Sequence, residues 1–341
     1  MKNGMRWRYW LFLTAAACAA SFVIGWHLPP PNATASPTSP RTPLRLSGYQ
    51  FVSPLLACGI SSPPPTSPDA KAMDAAIESV ISQHQQANDI SKASVFFADY
   101  TKNYAFSVNG DQKYYPSSIG KLPIMMTYYA MAEHSSRDIL DKQITYPADS
   151  PNLNDTQDIK PAEAIVPGQT YSVSDLLGYM IKYSDNNAAQ LLFENADQTA
   201  LNDIYQSLQI PIDYNPNVTN LDFITPEQVS ILFRILYNAT YLSNEDAENA
   251  LRLLSQTTFT QGLVAGVPSS TVVSHKFGIV GIDTNGSGIN NEHELHDCGI
   301  VYAPNHPYLL CVMTRGASDL PNMEQTIADI SKAVYQKIEG Q

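Results

Sequence analysis

The chain has 341 residues, 44% apolar and 15% charged, enough for one large domain or two small ones with a sizeable core. Its formal net charge is −12, unevenly spread: residues 1–70 hold five basic residues and one acid, so the remainder carries a net −16. A surface of that sign repels polyanions, which argues against nucleic acid as a partner and reads first as a solubility feature.

Lys2, Arg6 and Arg8 precede an apolar run, Tyr9–Trp26, of 18 residues. That is close to the roughly 20 needed to span a bilayer. Trp7, Tyr9, Trp10 and Trp26 flank it, as aromatics do at membrane interfaces. Residues 1–28 therefore read as a short cytoplasmic stub and a transmembrane anchor, with the bulk of the chain extracytoplasmic. The alternative is a cleaved signal peptide, with Ala33-Thr34-Ala35 as its site. A lipoprotein reading through Cys18 or Cys58 is weaker, because apolar residues continue past Cys18 and no long apolar run precedes Cys58. Residues 29–70 carry 11 of the 24 prolines and read as an extended linker. Its one interruption, "LRLSGYQFVSPLLACGI" (44–60), is apolar enough to dock as a strand or clasp.

The folded domain is expected over 71–341. Apolar residues at Met73, Ala76, Ile77, Val80 and Ile81 have helical spacing. "KASVFFADY" and "NYAFSVNG" then read as two strands joined by a polar turn. A helix begins within "PSSIGKLPIMMTYY" (116–129). Further helices are expected at 173–183, 186–194, and near 198–208, 226–238 and 244–255. Thr225 followed by Pro226 gives one of these a clear start. "STVVSHKFGIV", "CGIVYAP" and "YLLCVMTRG" read as strands, and a last helix spans about 321–338. This order predicts an α+β fold: a mostly antiparallel five-stranded sheet, N- and C-terminal helices, and an all-helical subdomain. The most apolar helix is expected between sheet and helical block. Cys298 and Cys311 flank a turn at Pro304-Asn305-His306, so a cross-strand disulfide is one option; Cys58 paired with either is another.

Three short motifs carry chemistry. Ser118 and Lys121, three apart at a helix start, share one face. Free N–H groups and the helix dipole favour developing negative charge there, and a desolvated lysine can lose its proton and deprotonate a serine. The plainer reading is a helix cap beside an exposed lysine. Ser184-Asp185-Asn186 falls at a break between two apolar helices, where a hydroxyl and an amide could face a cleft; an ordinary capped turn is the plainer reading. The same S-x-N pattern occurs at Ser107 and Ser150, outside such a setting. Lys276-Phe277-Gly278 lies near the end of an expected strand. It could offer a cation and a close-approach glycine to an extended substrate, or simply guard a sheet edge.

In this order the motifs resemble S-x-x-K, S-x-N and K-x-G of the penicillin-recognising serine enzymes, which include class A β-lactamases and D,D-peptidases. The resemblance runs over about 71–340. It implies a serine hydrolase that uses no cofactor and no metal. Its substrate would be a β-lactam or a D-Ala-D-Ala-like stem peptide of peptidoglycan. It implies Ser118 as acylated nucleophile, Lys121 as base and Ser184 as proton relay. Asn186 would bind the substrate amide and Lys276 its carboxylate, with Phe277 and Gly278 alongside. The N–H groups of Ser118 and Ile279 would form the oxyanion hole.

Three departures stand out. The family's E-x-x-L-N loop glutamate has no counterpart in "QIPIDYNPNVTNLDFITPEQ"; Asp213 and Asp222 are the carboxylates there, and Glu227 reads as part of a capping box. Slow deacylation follows from this. Phe277 replaces the usual Thr or Ser. Cys298 stands where many class A enzymes carry an arginine, with Arg315 as a candidate substitute. "NEHELHDC" offers His293, Glu294, His296 and Asp297, but strand alternation and spacing argue against a metal site. His275 reads as structural. The alternative function is a non-catalytic, or singly acylated, binder of wall fragments or antibiotic.

Overall fold

The computed structural model describes residues 48–53, 68–207, 222–284, 287–317 and 319–340. The proposed anchor (1–28), Ala33–Ala35, most of the linker, Cys18, Cys58 and Asp213 lie outside them. Among the described residues, no helix is long and apolar enough to cross a membrane.

Helix α1 (Pro68–Gln86) leads into strands β1 (Lys92–Asp99) and β2 (Tyr104–Val108). Helix α2 (Lys121–His134) follows, then a small hairpin of β3 (Gln143–Thr145) and β4 (Thr170–Ser172). Helices α3 (Val173–Lys182), α4 (Asn186–Asn195), α5 (Gln198–Ser207), α6 (Pro226–Tyr237) and α7 (Asn244–Leu254) build the helical subdomain. Strands β5 (Val272–Ile282), β6 (Glu292–Tyr302) and β7 (Tyr308–Ala317) precede the last helix, α8 (Leu320–Glu339). The five long strands form one antiparallel sheet in the order β2-β1-β7-β6-β5, which leaves β5 on an edge.

Strand alternation divides the core in two. On β1, Phe96 and Ala98 face one cluster, while Ala93, Val95 and Phe97 face the other. On β7, Leu309, Cys311 and Met313 join the first, while Tyr308, Leu310 and Val312 join the second. The first cluster holds the helical subdomain; the second holds α1 and α8. Helix α2 lies in the first and is buried on nearly every side from Lys121 to Ala130, as expected for a helix enclosed by the fold. Local signals set the helix starts. Ser172 and Asp175 form a capping box on α3, and Thr225 with Gln228 forms one on α6. The partner on α6 is thus Gln228, not Glu227, which is exposed.

Two boundaries differ from the sequence expectation. β6 begins at Glu292, six residues before Cys298, because its polar side chains find buried partners. The linker residues 50–53 belong to the fold. The N–H groups of Gln50, Phe51 and Val52 donate to the Glu248 carboxylate at 2.8, 2.7 and 3.0 Å. The buried Phe51 ring packs edge-on against Tyr302. Cys298 and Cys311, directly opposite in the β6–β7 register, form a disulfide.

Candidate active site

The site lies where α2 enters between the sheet and the helical subdomain. Ser117 to Gly120 form a single 3₁₀ turn, and α2 starts at Lys121, so Ser118 precedes the α-helix proper by one turn. Ser117 takes φ 50°, a left-handed conformation that a non-glycine residue holds only when its surroundings fix it. Here its hydroxyl donates to the Ile279 carbonyl on β5. Gly278 completes the contact: a Cβ there would lie 3.1 Å from Pro116 O, Ser117 Cβ and Ser118 N. Glycine thus lets the edge strand press against the backbone of the serine turn. Lys276-Phe277-Gly278 sits in mid-strand rather than near its end, because β5 runs on to Ile282.

Lys121 is buried. Its Nζ donates to Ser184 O at 2.7 Å, Ser184 Oγ at 3.1 Å and Asn186 Oδ1 at 2.7 Å. Burial lowers its pKa to about 7, opposed by the charge of Asp185. Lys276 Nζ reaches the same hydroxyl from the other side, at 2.9 Å, so two amines share Ser184 Oγ. Burial also holds Lys276 well below the ordinary lysine range; Lys121 adds to this and Asp297 opposes it. Ser184 itself takes φ 59°, a second strained serine.

The Ser-Asp-Asn turn is held from within. Asp185, fully buried, accepts from Asn187 N, Asn154 Nδ2 and Ile165 N at 2.9, 2.8 and 2.7 Å. Asn154 Oδ1 in turn accepts Asn186 N–H at 2.8 Å. Asn187 bonds Leu153 N and Asn152. Asn154 was missed in the sequence. The only signal was the second S-x-N copy at Ser150, whose Asn152 proves to support the site turn.

Other candidates lie elsewhere. Phe277 belongs to the second core, where it stacks on Phe259 at 4.3 Å, and its ring also meets Lys276 Nζ at 4.2 Å. Its ring is 4% exposed and does not line an open cleft. Arg315 is no substitute for the family arginine, since Glu294 and Asp222 hold it. Glu294 also accepts Tyr115 N–H at 2.8 Å, and His296 Nε2 lies 3.0 Å from Tyr115 O. These residues brace the segment leading to the serine turn. His275 Nδ1 meets Asp297 at 2.7 Å, both buried, in keeping with a structural role. His293 lies beside Asp158. Of the "NEHELHDC" side chains, Glu294 and His296 thus meet each other at 3.4 Å and share Tyr115, while His293 and Asp297 have separate partners.

A serine on a strained turn, a buried lysine one turn on, and a Ser-Asp-Asn turn facing a lysine-bearing edge strand define the serine hydrolases built on an S-x-x-K pair. The comparisons agree: the model of the beta-lactamase enzyme family matches residues 72–338. The chain belongs to that family. It is 26% identical over 178 residues to the extended-spectrum beta-lactamase PER-1 of Pseudomonas aeruginosa, an alignment covering 48% of this chain and 56% of that one. It thus spans little more than half the length of that curated relative. Among solved structures it resembles a mutant of PBP-A in an acyl-enzyme complex with penicillin G, with TM-score 0.63, 20% identity and coverage of 78% of this chain and 97% of the other. A beta-lactamase from Sphaerobacter thermophilus gives TM-score 0.62 at 20% identity, covering 80% and 98%. At these identities the structural likeness establishes the fold.

Proposed function

We propose that the chain is an extracytoplasmic serine hydrolase that forms an acyl-enzyme at Ser118 and releases it slowly. Its acyl donors are β-lactams or peptides like the D-Ala-D-Ala stem of the cell wall. The observation that carries the reading is the setting of Lys121: a buried amine, near neutral pKa, hydrogen-bonded to Ser184 and Asn186 and to no carboxylate. Such an amine is a base in its own right.

Neutral Lys121 takes the Ser118 proton, and Oγ bonds to the carbonyl carbon. The oxyanion is held by the N–H groups of Ser118 and Ile279. As the tetrahedral intermediate collapses, the C–N bond breaks, and the proton passes from Lys121 through Ser184 to the leaving nitrogen. Asn186 offers its Nδ2 to the substrate amide, since its Oδ1 faces Lys121. Lys276 orients the Ser184 hydroxyl. Hydrolysis of the ester then needs an activated water. Asp222 is tied to Arg315 and Lys92, and Glu227 is exposed at a helix start, so neither supports that role. Loss of a placed base slows a step by about 10²–10⁴-fold.

The test is the intact mass of the full chain incubated with benzylpenicillin. One acyl group per chain should appear and persist, and should be absent from Ser118→Ala. Turnover without accumulation would contradict slow release; no adduct and no turnover would contradict the hydrolase reading. The basic flank and apolar run of residues 1–28 support a membrane tether. A mature N-terminus at Ser36 would replace the tether with secretion.

A further inference from the structure

A lysine ammonium offers three donor positions. At Lys276 one is taken by Ser184 Oγ at 2.9 Å and one by the Phe277 carbonyl at 3.0 Å. On the third side the Phe277 ring lies 4.2 Å from Nζ, a cation–π contact. The lysine is completely buried, with 0% exposure. The ring cannot swing aside freely, because Phe259 stacks on it at 4.3 Å and nearly parallel, at 21°. Neither Cys298 nor Arg315 supplies a cation in place of the Lys276 amine. Cys298, paired with Lys276 across β5–β6, is in a disulfide, and Arg315 is held by two carboxylates. Gly278 adds no side chain.

We infer that Phe277 closes the carboxylate-binding position on β5, so that the preferred acyl donor has a neutral leaving side: an internal peptide amide or an ester rather than one ending in a free carboxylate. This rests on the acyl-enzyme reading above and turns its donor preference away from stems that end in a free carboxylate. A carboxylate brought here would lose its water and meet an amine whose donors are occupied, an unfavourable exchange. A neutral amide loses less on the same transfer. The chemistry is unchanged. Ser118 Oγ bonds the carbonyl carbon, the C–N or C–O bond breaks, and the Ser118 proton leaves on the departing nitrogen or oxygen.

Benzylpenicillin and its methyl ester test this, since they differ only in that charge. Second-order acylation rates of the full chain, read by intact mass, give an acid-to-ester ratio for each protein. In the wild type the ester should react at least as fast as the acid. In Phe277→Thr, and in Phe277→Leu, which keeps apolar packing on Phe259, the ratio should rise about tenfold or more; a hydrogen bond to a charged group is worth about 1.5–3 kcal/mol, and about 1.4 kcal/mol is tenfold in rate. Being internal to each protein, the ratio does not move with a partial loss of folding. A wild-type acid rate ten times the ester rate, or a ratio unchanged in both variants, would overturn the inference alone. Failure of both reagents to acylate the wild type would overturn the acyl-enzyme reading, and the inference with it.

Discussion

Burial brings the Lys121 amine down to about 7 against the opposing charge of Asp185, and this has consequences for both rate and stability. Only the neutral amine accepts the Ser118 proton. Acylation by benzylpenicillin should therefore rise about tenfold per pH unit below pH 7 and level off above it; a rate flat from pH 5 to 9 would rule out Lys121 as the base. For stability the sign is as follows. Between the folded value of about 7 and the unfolded value of 10.5, the unfolded chain binds more protons, so stability rises with pH across that interval. Lys121→Met removes this contribution. It should lower acylation by about 10²–10⁴-fold while stabilising the fold at pH 7 by on the order of 2–4 kcal/mol. Urea titrations at pH 7 and 9 check the second part, and the gain should shrink at the higher pH. Lys276, also depressed by burial, leaves a residual slope in the variant. Ser118, Lys121 and Ser184 were legible because their motifs have fixed spacing. Phe277 was expected beside the substrate carboxylate; its ring instead packs on Phe259 in the second core and covers Lys276 Nζ. Asn154 was not legible, since its contact with Asp185 joins residues 31 apart in the chain.

Helices were read well wherever a cap and an apolar period coincided, as at Thr225-Pro226 on α6. The start of β6 was not. The expected strand begins at Cys298, and tertiary partners extend it back through "EHELHD": Arg315 for Glu294, the Tyr115 carbonyl for His296 and His275 for Asp297. The same holds for the clasp at 50–53. Its apolar character was visible, but its anchor, the Glu248 carboxylate, lies nearly 200 residues away in sequence. Two changes measure the clasp. Phe51→Ala should destabilise the fold by about 2–4 kcal/mol, as for a buried aromatic at the edge of a core. Glu248→Ala should lose a similar amount, because three N–H groups lose a charged acceptor. Urea midpoints unchanged in both variants would show that the segment merely rests on the surface. Neither residue touches the site, so acylation per folded chain should stay at the wild-type rate.

The sheet divides two cores, and the site sits on the seam between its edge strand and the helical subdomain. The antiparallel α+β order was legible from the sequence of helices and strands; the division of each strand between two cores emerged only when both faces proved buried. The disulfide between Cys298 and Cys311 closes a hairpin whose ends are 13 residues apart. For a loop of that size, chain entropy gives up to about 3 kcal/mol, and less where the hairpin already forms without the bond. Reduction should therefore lower the urea midpoint while leaving the fold intact at neutral pH. Collapse on reduction would mean that the bond, not the two cores, holds the sheet together.

The most direct test is to find which atom carries the acyl group. Full-length chain trapped with benzylpenicillin and cut with trypsin should yield the peptide Tyr114–Lys121, which contains both Ser117 and Ser118. Fragmentation should place the added mass on Ser118. An adduct on Ser117 or Ser184, or none on this peptide, would contradict Ser118 as the nucleophile.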